Sequence, residues 1–184
     1  METDIVTSEK KNDLTLDMVM RVVKLSKLQI RNVFVSVLQA QPPAADAVLT
    51  EEAVFYLLVA DMLENLTFLS GEQRLLLSQL LRETRQTLEL PAVPEGCGTH
   101  LAFGDGRYAT WTGAMGWTEL ESGEKIDFLP RRPLETIAYN LDELYRRGVH
   151  IIETRAGLNV KNDNAGSVEK PGDVCERPAD AVSG

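Results

Sequence analysis

The chain has 184 residues, of which 43% are hydrophobic, and a formal net charge of −9. This length and apolar content suffice for a folded core without metals or disulfides. The acidic balance excludes bulk electrostatic attraction to nucleic acid, so any DNA-binding function must rest on a local basic patch. No apolar run approaches the roughly 20 residues that span a bilayer. The polar N-terminus also lacks a secretory signal pattern, so we expect a cytoplasmic protein without membrane association.

Residues 1–13 are charged and are predicted to be disordered. Residues 14–90 carry helical periodicity and form a predicted helical domain, and residues 97–154 form a predicted small α+β domain. Residues 156–184 are rich in Gly, Asn, Asp, Glu, Pro and Ser and are predicted to be a disordered tail. The expected fold class is α+β, in which three to four helices precede a mostly antiparallel sheet that is covered by one helix.

The helical part contains clear boundary signals. Apolar residues recur at spacings of three, four and seven from Leu16 to Ala40, and the prolines after Gln41 end that pattern. Thr50 is a predicted N-cap for a helix that reaches about Thr67. Ser70 and Gln73 form a predicted capping box for a leucine-rich helix that reaches Leu88.

The C-terminal half predicts strands and one further helix. Residues 99–112 predict two strands joined by a turn at Gly104-Asp105-Gly106, and residues 125–129 predict a third strand. Pro133 is placed at the first position of a helix that ends at Gly148. The apolar face of this predicted helix comprises Leu134, Ile137, Ala138, Leu141, Leu144 and Tyr145. Residues 149–152 predict a short last strand.

The run from Leu25 to Ile30 resembles the turn and early recognition helix of helix-turn-helix regulators. In this interpretation one helix ends near Leu25, Ser26 caps a second helix, and Lys27, Gln29, Arg31 and Asn32 project outward. The buried positions would be Val19, Val23, Leu25, Ile30 and Val33. Lys24 replaces the usual turn glycine, Met20 replaces the usual small residue, and Leu28 would face outward. The alternative is one unbroken amphipathic helix from Leu16 to Ala40.

The side chains of this segment suit DNA. Arg and Lys bind phosphates or guanine, and Gln and Asn bind adenine. The segment is locally basic, since Arg21, Lys24, Lys27 and Arg31 accompany only Asp17. The sequence therefore predicts a small DNA-binding regulator, repressor-like or antitoxin-like. The predicted DNA-binding residues are Lys24, Lys27, Gln29, Arg31 and Asn32.

The leucine-rich helix predicts either core or interface. In the interface hypothesis, Leu76, Leu77, Leu80 and Leu81 hold two copies together as a homodimer, which suits paired half-sites on DNA. In the other interpretation they fill the helical core. The alternative function is a protein–protein interaction module without nucleic-acid binding, which would use this helix or an exposed sheet edge to hold a partner protein.

Catalytic and cofactor chemistry find little support in the sequence. No phosphate-binding glycine loop, G-x-S-x-G motif or HExxH motif is present, so we expect no enzyme and no cofactor. Cys97 and Cys175 lack CxxC spacing and are expected to be free thiols. We expect no metal site, the alternative being zinc held by Cys97, His100 and His150. The aromatic residues of the hairpin are predicted to fill core, the alternative being a ligand pocket: Phe103, Tyr108, Trp111 and Trp117.

Overall fold

A computed structural model describes residues 13–94, 99–104, 107–112, 116–126 and 137–157. The N-terminal helices are α1 (Leu16–Met20), α2 (Lys27–Asn32), α3 (Glu51–Glu64) and α4 (Gly71–Thr87), and α2 continues into a π-helix at Val33–Val37. The strands are β1 (His100–Gly104), β2 (Arg107–Thr112), β3 (Gly116–Glu119), β4 (Lys125–Ile126) and β5 (Ile137–Asn140). Helix α5 (Leu141–Arg155) follows β5 directly. The described residues confirm the α+β class and the helical N-terminal half.

Helix α3 lies at the centre of the helical part. Nine of its fourteen residues are buried, and the unbroken apolar run from Ala53 to Ala60 makes its central turns apolar on every side. Thr50 Oγ1 accepts a hydrogen bond from Ala53 N at 3.2 Å, which confirms the predicted N-cap. The helix ends at Glu64, slightly before the predicted end near Thr67.

Helix α4 starts at the predicted capping box. Ser70 Oγ accepts from Gln73 N at 3.2 Å, and Gln73 Oε1 accepts from Ser70 N at 2.8 Å. Both bonds satisfy amides that have no partner inside the helix. Helices α3 and α4 pack against each other within the helical half.

The sheet has the order β4-β3-β2-β1-β5, and all its described pairs are antiparallel. Strands β1 and β2 flank the predicted turn and pair Phe103 with Tyr108, which confirms the predicted hairpin. Strand β3 was not predicted from the sequence. The predicted third strand is present as β4, of which Lys125 and Ile126 are described.

The predicted helix from Pro133 to Gly148 is wrong in its bounds. Ile137–Asn140 forms an edge strand that pairs with β1, and the helix begins only at Leu141. Asn140 is its N-cap, because Asn140 Oδ1 accepts from Glu143 N at 2.9 Å. The helix passes through Gly148 and ends at Arg155, so residues 149–152 are helical and the predicted last strand is wrong. Residues 133–136 lie outside the described ranges.

Helices and sheet share one core. The buried side chains of Leu101, Phe103, Leu141 and Ile152 belong to the same cluster as those of α3. Helix α5 contacts α1, α3, β1 and β5, and therefore joins the two halves. The predicted disordered tail, residues 156–184, and the predicted disordered N-terminus, residues 1–13, fall almost entirely outside the part that the structure describes.

Candidate nucleic-acid interface

Two helices separated by a turn form the segment that resembled a helix-turn-helix. Helix α1 starts at its N-cap Thr15 and ends at Met20, and α2 begins at Lys27. Val23 in the turn is buried, and Leu25 packs against the same core. The unbroken helix from Leu16 to Ala40 is therefore wrong. The first helix ends about five residues before the predicted end near Leu25, so the turn is longer than predicted.

Ser26 starts α2 through a second capping box. Ser26 Oγ accepts from Gln29 N at 3.3 Å, and Gln29 Oε1 accepts from Ser26 N at 2.7 Å. The predicted N-cap is confirmed. The side-chain oxygen of Gln29 accepts a hydrogen bond within its own helix terminus. A bidentate contact with adenine uses both the oxygen and the NH2 group of the amide, so this contact would require breaking that bond.

The turn is held from two sides by distant elements. Lys24 N donates to Asp61 Oδ1 of α3 at 2.6 Å. Arg155 Nη1 of α5 donates to Arg21 O at 2.9 Å. Both bonds satisfy backbone groups that a broken helix leaves without internal partners, which favours one fixed bend.

The five predicted DNA-binding residues fall into two groups. Lys24, Lys27 and Arg31 are exposed, as predicted. Gln29 and Asn32 are partly buried and line a small cavity of about 50 Å³ between α2, α3 and α4. The prediction that all of them project outward is wrong for these two amide residues, because α4 packs against the π-helix that continues α2 and lines the cavity on that flank.

The outer face of α2 combines charge with apolar surface. Leu28 is 64% exposed, which agrees with its predicted outward position, and Val35, on the π-helix that continues α2, is 50% exposed. Lys27 and Arg31 share this side of the helix, since positions three, four and seven apart align. Val35 was not singled out from the sequence, because it belongs to an apolar run whose other members, Val33, Phe34 and Val37, are buried.

The cations of the segment differ in their local partners. Arg21 Nη2 lies 2.5 Å from Asp17 Oδ2 in an exposed pair on α1. Within the described ranges no ion pair involves Lys24, Lys27 or Arg31. Lys24 and Lys27 therefore place positive charge near the N-terminal end of α2, and Arg31 places it in the last turn.

The predicted leucine interface is only partly available. Leu77 and Leu81 are 2% and 0% exposed, so they fill the core and their interface assignment is wrong. Leu76 is 49% exposed and Leu80 is partly buried. Only these two residues of the predicted set reach the surface of α4.

The remaining candidate residues that the structure describes do not lie together in a common site. Phe103 contacts Tyr108 and Tyr139 edge-on and is buried, which agrees with the core interpretation. His100 packs edge-on against Trp111. No cluster of His, Cys, Asp and Glu suited to a metal occurs among the described residues. Cys97 and Cys175 lie outside them.

None of the helices in the described ranges combines the length and the apolar character that a membrane crossing requires. Comparison of the chain with models of protein families, with curated proteins and with solved structures finds no match.

Proposed function

We propose that the protein is a small DNA-binding regulator that contacts duplex DNA with the turn and the exposed side of α2. The observation that carries this proposal is the capped bend at Ser26, beside which Lys24, Lys27 and Arg31 are exposed together. Exposed lysines at the start of a helix, with an exposed arginine one turn further on, present positive charge to a phosphate backbone.

The roles of these residues follow from their positions. Lys24, Lys27 and Arg31 supply phosphate contacts, which give affinity and orientation but little sequence information. Arg31 is also long and planar enough for a bidentate contact with guanine. Leu28 lies beside it, and its side chain suits apolar contact with the methyl group of thymine.

The rest of the molecule restricts this binding. With a net charge of −9, most of the surface repels a polyanion, so the contact must be confined to the basic end of α2. Binding is therefore expected to weaken steeply as the salt concentration rises.

The test uses a labelled DNA fragment from the gene's own promoter region, titrated with protein at several salt concentrations. Lys27→Ala and Arg31→Ala remove exposed cations, and each is expected to weaken binding by roughly five- to tenfold at low salt and to lower the salt slope by about one. Arg107→Ala is the matched control, because Arg107 is an exposed arginine on β2. It is expected to leave the affinity within about twofold of the unsubstituted protein.

Two results would contradict the proposal. One is the absence of any shift at low salt with protein whose circular dichroism shows it to be folded. The other is an equal loss of affinity in Arg31→Ala and Arg107→Ala, since that would trace binding to overall charge alone.

A second candidate function is a protein–protein interaction module without nucleic acid. The exposure of two large apolar side chains, Leu28 on α2 and Val35 on the π-helix that continues it, favours this function, since a partner protein could cover both. Under this alternative, Leu28→Ser would abolish partner binding, whereas Lys27→Ala would have little effect and DNA would not bind.

A further inference from the structure

Helix α2 presents few side chains on its exposed side. Lys27, Leu28 and Arg31 are exposed, and their neighbours Gln29 and Asn32 are partly buried. At 64%, Leu28 is the most exposed large hydrophobic side chain in the described part of the chain. The exposed side of α2 therefore places an apolar group between two cations.

Neither amide residue of α2 is freely available to a base. Gln29 Oε1 accepts the Ser26 amide at 2.7 Å, and Asn32 lines the small cavity between α2, α3 and α4. A bidentate contact with adenine needs both the oxygen and the NH2 group of one amide. Recognition of a base pair by α2 is therefore left to Leu28 and to the cations beside it.

The cations beside Leu28 are available to DNA. Within the described ranges, the side chains of Lys24, Lys27 and Arg31 take part in no ion pair. Contacts of such cations with phosphates orient a helix in the groove without reading the sequence. Charge complementarity therefore favours a polyanion on this side of α2, and base recognition depends on what Leu28 contacts there.

The major groove of B-DNA offers an apolar partner to Leu28. The groove admits an α-helix, and the C5 methyl of thymine is the apolar group on its base edges. The edges of G·C pairs carry hydrogen-bonding groups, which an apolar side chain would remove from water without replacing their bonds. Uracil has no C5 methyl, and side chains cannot read the deep, narrow major groove of an RNA duplex. Leu28 therefore suits thymine in a DNA duplex.

The spacing of Leu28 and Arg31 limits how far apart their contacts lie. Residues three positions apart share one side of a helix, with roughly 5–6 Å between their Cβ atoms. Successive base pairs of DNA are about 3.4 Å apart along the axis. The two side chains therefore reach base pairs that are no more than about two steps apart.

We propose that Leu28 is the specificity-determining residue of this site and that it selects double-stranded DNA by apolar contact with a thymine methyl group. This inference rests on the proposed function, because it names the base that the DNA contact reads. Arg31 contacts a guanine or a phosphate within about two base pairs of that thymine.

The test compares two versions of the promoter fragment, one synthesised with dTTP and one with dUTP. The two have the same charge and base pairing and differ only in the thymine methyl groups. Both are titrated by fluorescence anisotropy at low salt with the unsubstituted protein, Leu28→Ala and Val48→Ala. Val48 is the matched control, because it is a similarly exposed apolar residue ahead of α3, with 57% exposure.

We expect the unsubstituted protein to bind the thymine fragment roughly fourfold more tightly than the uracil fragment, which is the effect of burying one methyl group. Leu28→Ala is expected to lose this preference, and Val48→Ala to keep it. Lys27→Ala should weaken binding to both fragments alike and keep the preference, because a phosphate contact does not read the base.

Equal binding of the two fragments by the unsubstituted protein would overturn this inference and leave the DNA-binding function standing. A preference that persists in Leu28→Ala would also overturn it, since the methyl groups would then act through the shape of the DNA. Loss of the preference in Val48→Ala would overturn it as well. Absence of binding to either fragment, with folded protein, would refute the proposed function too and would assign the exposed Leu28 to the protein-partner alternative.

Discussion

Gln29 shows how a single hydrogen bond restricts the chemistry of a surface. Its Oε1 accepts the Ser26 amide, so the amide group that suits adenine is bound within the helix terminus. The same S-x-x-Q spacing occurs at Ser70 and Gln73, where the sequence did predict a capping box. That spacing at Ser26 was therefore a signal that could have identified Gln29 as a capping residue.

The two capping boxes allow a matched experiment. Ser26→Ala and Ser70→Ala each remove one side-chain acceptor from a helix terminus, and each is expected to lower the free energy of unfolding by about 1 kcal/mol. Only Ser26→Ala should also weaken DNA binding, because only its helix carries Lys27 and Arg31. Urea denaturation measures stability, and anisotropy with the promoter fragment measures affinity.

An equal loss of DNA affinity in the two variants would show that general destabilisation explains it. An unchanged DNA affinity in Ser26→Ala would show that the cap does not contribute to DNA binding.

At the level of elements, α5 shows where local signals fail. Pro133 and Gly148 resembled a helix start and a helix end, yet the helix lies between Leu141 and Arg155. Gly148 is an interior residue that faces Leu58 of α3, and strand β5 forms because it pairs with β1. Both facts depend on contacts between residues distant in sequence. The acidic residues after Asn140 were the local signal for the true start.

Replacing Gly148 with alanine is not expected to give the increase in stability that alanine usually brings inside a helix. An added Cβ would meet Leu58 Cδ2 at 2.7 Å and Cγ at 3.1 Å, and Leu58 is only 5% exposed. The helix propensity gain of about 1 kcal/mol is then outweighed by overpacking. We expect Gly148→Ala to lower the free energy of unfolding by about 1–2 kcal/mol.

Gly71→Ala is the control for this prediction, because a Cβ at Gly71 meets nothing within 4 Å. Its stability should stay level or rise slightly in the same urea titration. A stabilised Gly148→Ala protein would show that Leu58 has room to move and that the α3–α5 contact is looser than its geometry indicates.

The sequence predicted the candidate site in part. The cap at Ser26 and the exposure of Lys24, Lys27 and Arg31 followed from the local sequence pattern, in which an aliphatic residue is followed by a serine N-cap. The inward orientation of Asn32 did not, because it depends on the position of α4 beside α2. Side-chain direction on the partly covered flank of a helix is decided by its neighbours.

Across the described part of the molecule, exposed leucines occur on α4 as well as on α2. Leu76 and Leu80 lie one turn apart, and Leu76 is 49% exposed. A two-fold axis near Leu76 would bury both residues in each copy, and a dimer suits palindromic DNA.

Dimerisation through Leu76 is tested by light scattering after size exclusion. We expect the unsubstituted protein to have twice the 20.4 kDa mass of one chain, and Leu76→Glu to have the mass of a single chain, because a buried carboxylate opposes association. Ile151→Glu is the control, since Ile151 is 41% exposed on α5. A monomeric unsubstituted protein, or a dimeric Leu76→Glu protein, would contradict this prediction.

The bond from Arg155 to Arg21 has a consequence for synthesis on the ribosome. Helices α1 and α2 are translated long before α5. Yet one of the two hydrogen bonds that hold the turn between them is donated by Arg155, the last residue of α5. A nascent chain that ends before Arg155 lacks this bond and keeps, of the two, only the bond from Lys24 to Asp61. If this segment binds DNA as proposed, that binding is therefore expected to reach full strength only after Arg155 has been translated.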